Sequence, residues 1–446
     1  KDSTATDNYV LTVDANGDAG WEAAAGGGGT GVTIDSDYNT YVGTNAGSSV
    51  AASSGQYNSL FGYETGRYIT TGSGITAVGG WACDNVTTGS HSVAFGNSAL
   101  GALTTGNNNT AIGVWALLNQ TESDSNTAVG YHAGDAITTA TASVIVGADA
   151  LGANTTGSYN TAVGFNAGLA ITTGPYNTLV GNNAGKKITT GSRNIGIGNA
   201  TLGAEASAST TGEENVGIGQ LALTYLTTGD YNVGVGPGAL KDVTTGDSNV
   251  GLGNEAGESI TTGNNNICIG QVAGHYVSTG SDNVAIGYEA LKDSSAGAVS
   301  NNVCIGTKAG QGVEAGQNTC IGYEAGGNIE TGTGNTCLGY AAQPSSGTVS
   351  DEITLGRSGV TALRCAQTSI SSLSDRRDKT DINTLDLGLD FINALKPVKF
   401  KWDTREGITT KDGQYEAGFI AQDFQQVQKD NDADYLGLVL ESNPDK

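Results

Sequence analysis

The chain has 446 residues, including 70 Gly, 5 Pro and no Met, and its 44 Asp and Glu outweigh 20 Lys and Arg for a net charge of −24. So acidic a chain presents no general positive field to a phosphate backbone, which argues against nucleic acid as a partner. No run of 18 or more apolar residues is present to enter a membrane. Glycine stands at more than twice its usual share of about 7%, but not at every third residue, which excludes a collagen helix.

The chain begins KDSTATDNYV, without the basic-then-apolar pattern of a signal segment and without an initiating Met, so a processed or truncated chain is expected. Within residues 1–36, NYVLTVDANGDAGWEAAAGGGG predicts a short hairpin around an ANGD turn and Trp21, then a Gly-rich joint.

Residues 37–356 repeat. Aligning each NTAVG-like run on its final glycine gives 19 copies, from Gly43 to Gly356, and 14 of the 18 intervals are 17 residues. A short fixed period means a solenoid in which each repeat is one coil. In SYNTAVGFNAGLAITTG (158–174), Thr161, Ala162 and Val163 alternate as a short strand. Thr161 and Val163 are expected to face inward with Ile171, and Ala162 to face away. Seven residues after the glycine an apolar position recurs (Ile69, Val86, Leu103, Ile137, Ile171, Ile188), opening an ITTG run that predicts a second strand per coil. Asn precedes the first strand in 15 of the 19 copies, a residue that suits turns and can stack into a ladder. Cys268, Cys304, Cys320 and Cys337 fall in the small column at the strand centre and read as compact spacers. With Cys83 and Cys365 they form no CxxC pair, so neither a metal nor a cofactor is expected. At about 4.8 Å per stacked strand the coils make a rod of roughly 85–90 Å. One thin roll leaves much apolar surface uncovered, so self-association is expected. The Ala column three residues after the glycine (Ala99, Ala133, Ala167, Ala184) is the expected place of close approach.

SDNVAIGYEAL (281–291) and NNTAIGVWAL (108–117) resemble the head repeats of trimeric autotransporter adhesins of the YadA type. The resemblance spans about 37–356 and implies a mainly β fold, a left-handed parallel β-roll with three chains side by side. The repeat of that family is usually shorter than the 17 residues seen here.

After Gly356 the period ends, and 357–373 (RSGVTALRCAQTSISSL) predict a last strand and a connector. From 374 to 446 the composition shifts, and 10 of the 20 Lys and Arg lie there. LDLGLDFINAL has helical spacing that Pro397 ends, VKFKW alternates as a strand, and GFIAQDFQQVQ restarts apolar periodicity, which together predict a small α+β domain. SDRRDK at 374–379, LKPVKFKW at 395–402 and GFIAQ at 418–422, in that order, resemble the intramolecular chaperone domain of phage tail spikes and fibres, peptidase S74. The resemblance implies a domain that trimerises, assists assembly of the preceding β-structure and then cuts the Leu373–Ser374 bond. It implies Ser374 as nucleophile and Lys379 as its base. Such a lysine needs a lowered pKa, which the neighbouring cations Arg376 and Arg377 favour and Asp375 and Asp378 oppose. The chain stops at Lys446, short of the long helical tail usual in such domains.

These patterns lead us to expect a trimeric fibre of a phage virion, located on the virion or otherwise extracellular. Its partners are expected to be its own copies, other virion or baseplate proteins, and a host-surface glycan or protein receptor. The alternatives are a bacterial surface trimeric adhesin, an ice-binding solenoid built on the TTG arrays, and a glycan-cleaving enzyme. The last lacks a clustered carboxylate pair in the repeat, and His91, His132 and His275 are scattered. The G-G-x-G-x-D pattern of a calcium-binding roll is missing. Tyr63, Tyr131, Tyr288 and Trp115 are expected to face outward.

Overall fold

The computed structural model describes residues 9–13, 19–23, 32–51, 54–293, 298–362, 389–400 and 416–431, and the chain divides into two compact units, 1–362 and 363–446. In the first unit β1 (Tyr9–Val13) and β2 (Ala19–Ala23) pair antiparallel with Leu11 opposite Trp21, the hairpin expected around ANGD. Next, β3 (Thr33–Ile34) lies antiparallel to β4 (Thr40–Val42). From β4 to β22 (Ile353–Leu355) run nineteen strands of three residues, each parallel and in register with the next. Pairing joins only sequence neighbours, so the strands form an open ladder along the solenoid axis, about 86 Å for its 18 steps at ~4.8 Å each.

Which face of the strand turns inward differs from the sequence expectation. In β11 (Thr161–Val163) the central Ala162 is fully buried, while Thr161 and Val163 are half-exposed. The same pattern holds from β5 (Ser59–Phe61) to β21 (Thr336–Leu338), with a buried residue between two flanks that are not. The coil is narrow and Ile171 and its equivalents are also buried inside it, and the strand centres are mostly Gly, Ala or Cys, with Leu60, Ile145 and Leu179 as larger buried exceptions. The Ala column (Ala99, Ala133, Ala167, Ala184) is also fully buried. It packs the inside of the coil and cannot be where separate rolls meet.

Side-chain volumes compensate in several coils. Leu60, Leu179, Cys268, Cys304 and Cys320 at strand centres lie against the glycine six positions later, and the glycine centres Gly196, Gly217, Gly234 and Gly251 lie against Leu202, Leu223 or Leu240 of the same or the preceding coil. A Cβ on Gly310 or Gly326 would run into the sulfur of Cys304 or Cys320. The cysteines are therefore space-fillers of intermediate size; Cys83, Cys268, Cys304, Cys320 and Cys337 are all free and buried.

The expected second strand is a turn instead. The amides of Thr87, Thr88 and Gly89 all donate to the carbonyl of Thr104 in the next coil, at 2.9, 3.2 and 3.2 Å. The Thr87 hydroxyl donates to the same oxygen at 3.1 Å. Converging donors curl the backbone, as in a nest, and an extended strand would point alternate amides away. A single bridge, Ile188 with Thr210, is present on this side. Gly164 ends its strand at φ +141°, and a Cβ there would strike the carbonyl of Gly181 in the next coil, so the repeated glycine answers both to conformation and to close stacking.

The asparagine ladder exists and, in most coils, holds the two sides of the coil together. The backbone amide of Asn249 donates to Asn232 Oδ1 at 3.0 Å, its Nδ2 donates to that oxygen at 3.0 Å and to the Gly263 carbonyl across the coil at 2.8 Å. Its own Oδ1 accepts from the amide and Nδ2 of Asn266, at 3.0 and 2.9 Å. Every polar atom is satisfied while the side chain is fully buried. Where Ser143 replaces Asn, its hydroxyl still accepts from the Asn160 amide at 3.3 Å. Two polar residues interrupt the buried Ile column: Gln120 donates to the Ser123 carbonyl and accepts from Asn126, and Asn154 closes its turn on Gly157. The ladder ends at Glu352, whose amide donates to Asn335 Oδ1 at 3.0 Å while its carboxylate accepts from the amide and hydroxyl of Ser345.

In the second unit, α1 (Leu389–Ala394) stops before Pro397, β23 (Val398–Phe400) pairs antiparallel with β24 (Glu416–Gly418), and α2 (Ala421–Asp430) follows. This is the α+β pattern expected of the segment. Phe391 is buried, and Phe419 meets Phe424 edge-on with centroids 5.6 Å apart.

Asn249→Ala leaves the Asn266 amide and the Gly263 carbonyl buried without partners, which should destabilise the first unit by about 2–4 kcal/mol. Urea unfolding followed by circular dichroism measures this, and a variant within error of the parent would deny the ladder its structural role.

Candidate functional sites

The residues expected to carry self-cleavage, Leu373, Ser374, Asp375, Arg376 and Lys379, lie outside the described residues, as does Cys365. What the second unit does present is apolar. Leu395 and Lys396 with Phe419, Ile420, Asp423, Phe424 and Val427 line a shallow hollow beside α2. Ile392, Phe419 and Ile420 are exposed.

The first unit presents a larger surface. Because the small strand residue turns inward, its two flanks turn outward. The nineteen leading flanks are Thr, Val or Ile except for Ser59, and the nineteen trailing flanks are all Val, Ile, Leu or Phe. Phe95, Ile112, Ile197, Ile218 and Leu252 are exposed along it. No charge stands in either column, in a chain of net charge −24. One face of the solenoid is thus an uncharged sheet surface along its whole length, with an apolar trailing column beside a leading column of Val, Ile, Thr and Ser, and continuous uncharged surfaces of this kind mark association sites.

Charges gather at a different corner. Positions two and five residues after each repeated glycine stack from coil to coil. There Arg67 pairs with Glu64 at 2.6 Å and Asp84 at 3.0 Å, Lys241 with Glu258 at 2.7 Å, and Lys292 with Glu289 at 2.8 Å. Burial pushes the Asp84 carboxyl up, against the pull of Arg67. The same columns hold His132, whose Nδ1 lies 2.7 Å from Asp135, and His275, whose Nε2 lies 2.8 Å from Glu258 and 3.8 Å from Glu255. The sequence reading found scattered histidines and no clustered carboxylate pair. The fold brings Glu255, Glu258 and His275 together, because Glu258 and His275 are one 17-residue period apart.

Aromatic side chains stack along the axis for the same reason. Tyr159 and Tyr176 lie parallel at 5.1 Å, Tyr38 and Tyr57 at 5.4 Å, and Tyr323 and Tyr340 at 5.3 Å. Tyr63, Tyr131 and Tyr288 are exposed as expected, whereas Trp115 is half-buried against Tyr131 and His132. In the TTG runs the first Thr is half-buried and spends its hydroxyl on the next coil, as Thr138 does on the Thr155 carbonyl, and only the second, such as Thr139 or Thr173, is exposed.

Residues 374–432 match the family model of peptidase S74, the chaperone of endosialidase. No curated protein and no solved structure matches the chain.

Burial pushes the Cys83 and Cys268 thiols up to about 12, and hydrogen bonds within the thiol column, between Cys304 and Cys320 and between Cys320 and Cys337, raise those of Cys320 and Cys337, with burial adding to it. At pH 8 only about one Cys83 or Cys268 thiol in 10⁴ is then a thiolate, so in a Cys365→Ser background the native protein should not react with a water-soluble disulfide reagent, and the urea-unfolded protein should react fully. Stoichiometric labelling of the native protein would contradict the buried packing of this column.

Proposed function

We propose that this chain is the protomer of a homotrimeric fibre or spike, in which the solenoid is the shaft and the C-terminal domain an intramolecular chaperone that aligns the three chains. The observation that supports it most directly is the uncharged sheet face running the length of a strongly acidic unit. Burying apolar area stabilises association by about 25 cal/mol per Å² before ordering costs. A partner for this face must also be flat, uncharged and periodic at the strand spacing, and a second and third copy of the same face meets all three conditions. Parallel repeats can dock in many registers one coil apart, each nearly as good as the next. A separate C-terminal domain that trimerises first removes that ambiguity, and the family match at 374–432 supports such a domain.

Self-cleavage at Leu373–Ser374, with Ser374 as nucleophile and Lys379 as base, belongs to this proposal. So does the setting, a virion fibre that meets a host-surface glycan or protein, with exposed stacked tyrosines as the surface best suited to sugar rings. A bacterial surface adhesin would use the same shaft.

Light scattering of the full chain at micromolar concentration should give three times the chain mass. Paired Ile218→Asp and Val235→Asp substitutions place charges on the outer face without touching the coil interior, and should yield monomers with an unchanged circular dichroism spectrum. A monomeric parent protein sinks the proposal. On a denaturing gel, Ser374→Ala should retain full length where the parent loses its last 73 residues; equal lengths would show that cleavage is not part of maturation.

A further inference from the structure

Among the described residues, Glu255, Glu258 and His275 are the group of His, Cys, Asp and Glu whose ligand atoms converge, all within 4.8 Å of one another. Their positions follow from the repeat. Glu258 and His275 stand five residues after Gly253 and Gly270, so they stack on adjacent coils, and Glu255 stands two residues after Gly253 at the same corner. His275 Nε2 is 2.8 Å from Glu258 Oε2 and 3.8 Å from Glu255 Oε2. Ligand atoms bound tetrahedrally to an ion at ~2.0–2.1 Å lie about 3.3 Å apart, so the two distances from His275 bracket what an ion needs, and the third pair lies within 4.8 Å. His275 Nδ1 is buried without a hydrogen-bond partner, which leaves Nε2 as the nitrogen turned to polar neighbours.

The charges point the same way. Lys241 Nζ holds Glu258 Oε1 at 2.7 Å, leaving Oε2 to face the imidazole. Asp242 also faces the group, its carboxyl pushed up first by burial and then by Glu258. Three carboxylates and one ammonium surround an imidazole, so with the imidazole neutral and the carboxylates ionised the surroundings carry two unbalanced negative charges. The Glu258 and His275 side chains are 16% and 14% exposed while Glu255 is 43% exposed, so the trio is a half-closed pocket with its opening on the Glu255 side. Water can supply a fourth ligand there.

We propose that Glu255, Glu258 and His275 bind one divalent transition-metal ion of the zinc class, which ties two successive coils of the solenoid together. One imidazole with two carboxylates suits such an ion, whereas calcium and magnesium take oxygen ligands alone. The ion bridges coils at the charged corner, away from the sheet face, so its binding does not depend on the proposed trimer.

Calorimetric titration of the full-length chain with zinc chloride at pH 7 should give one ion per chain, with a raised thermal unfolding temperature, and magnesium should not compete. Cobalt(II) in place of zinc should show the visible absorption of a tetrahedral site. Glu255→Gln and His275→Gln should each weaken zinc binding by at least ~10-fold, the loss that follows removal of even an outer partner of a metal ligand. Lys241→Met should bind at least as tightly as the parent, because it removes the competing cation. Glu255 is the most exposed of the three, so Glu255→Gln carries the test if His275→Gln fails to fold. An affinity unchanged in Glu255→Gln, or a parent chain that takes no zinc, overturns the proposal.

Discussion

The solenoid depends on one arrangement, a buried amide side chain that bonds in three directions. A 17-residue coil has too little interior to be held by apolar burial alone. Nearly every Asn of the ladder spans the coil to the carbonyl of the opposite turn, and also joins the coil before it to the coil after it, as Asn249 does through Asn232, Gly263 and Asn266. Each such bond is worth only about 0.5–1.5 kcal/mol net, but a lost partner costs 1–3. The ladder therefore acts less as glue than as a penalty on slips of register. The penalty acts on slips of less than a full repeat, which take the amide off its partners, and so fixes how one coil sits on the next.

The same register carries the chemistry of the surface. Once coils superpose at a fixed spacing, every column becomes a ladder of like positions. Thiols lie over thiols at Cys304, Cys320 and Cys337, tyrosines over tyrosines, and charges over charges at the corner of Lys241, Glu258, His275 and Lys292. A charged column stacked at this spacing is unfavourable if the signs agree, and the sequence alternates or pairs them. The uncharged outer face follows from the opposite choice, with no charge admitted in either flanking column.

Much of this was legible in the sequence. The period, the strand at NTAVG, the asparagine ladder and the structural cysteines all follow from columns of residue types. The inward face did not, because alternation defines two faces without saying which is inside. The usual preference for larger apolar residues inside is reversed in most coils, where Gly, Ala or Cys points inward as Ala162 does, and is kept where Leu60, Ile145 and Leu179 stand. The second strand was misread because ITTG has strand-like composition; only the three-dimensional convergence of Thr87, Thr88 and Gly89 on one carbonyl shows a turn. The Glu258–His275 contact was equally hidden, being a contact across one period at a position that carries no repeated residue type. Ser374 and Lys379 rest on the motif they stand in.

Glu352 gives the asparagine ladder an end. At that point in the coil an amide side chain would both accept from the following amide and reach across the turn. The carboxylate has no hydrogen to offer the opposite carbonyl and is turned back on Ser345. Such a position does not by itself stop the stack, because Ile75, Ser92 and Ser143 also lack the amide and strands pair on both sides of each of them. Glu352 closes the column of buried amides, and the last strand is held by its backbone pairing with the strand before it and by the bond to Asn335. The final coil thus keeps the register of the shaft while offering no buried amide for a further coil to continue.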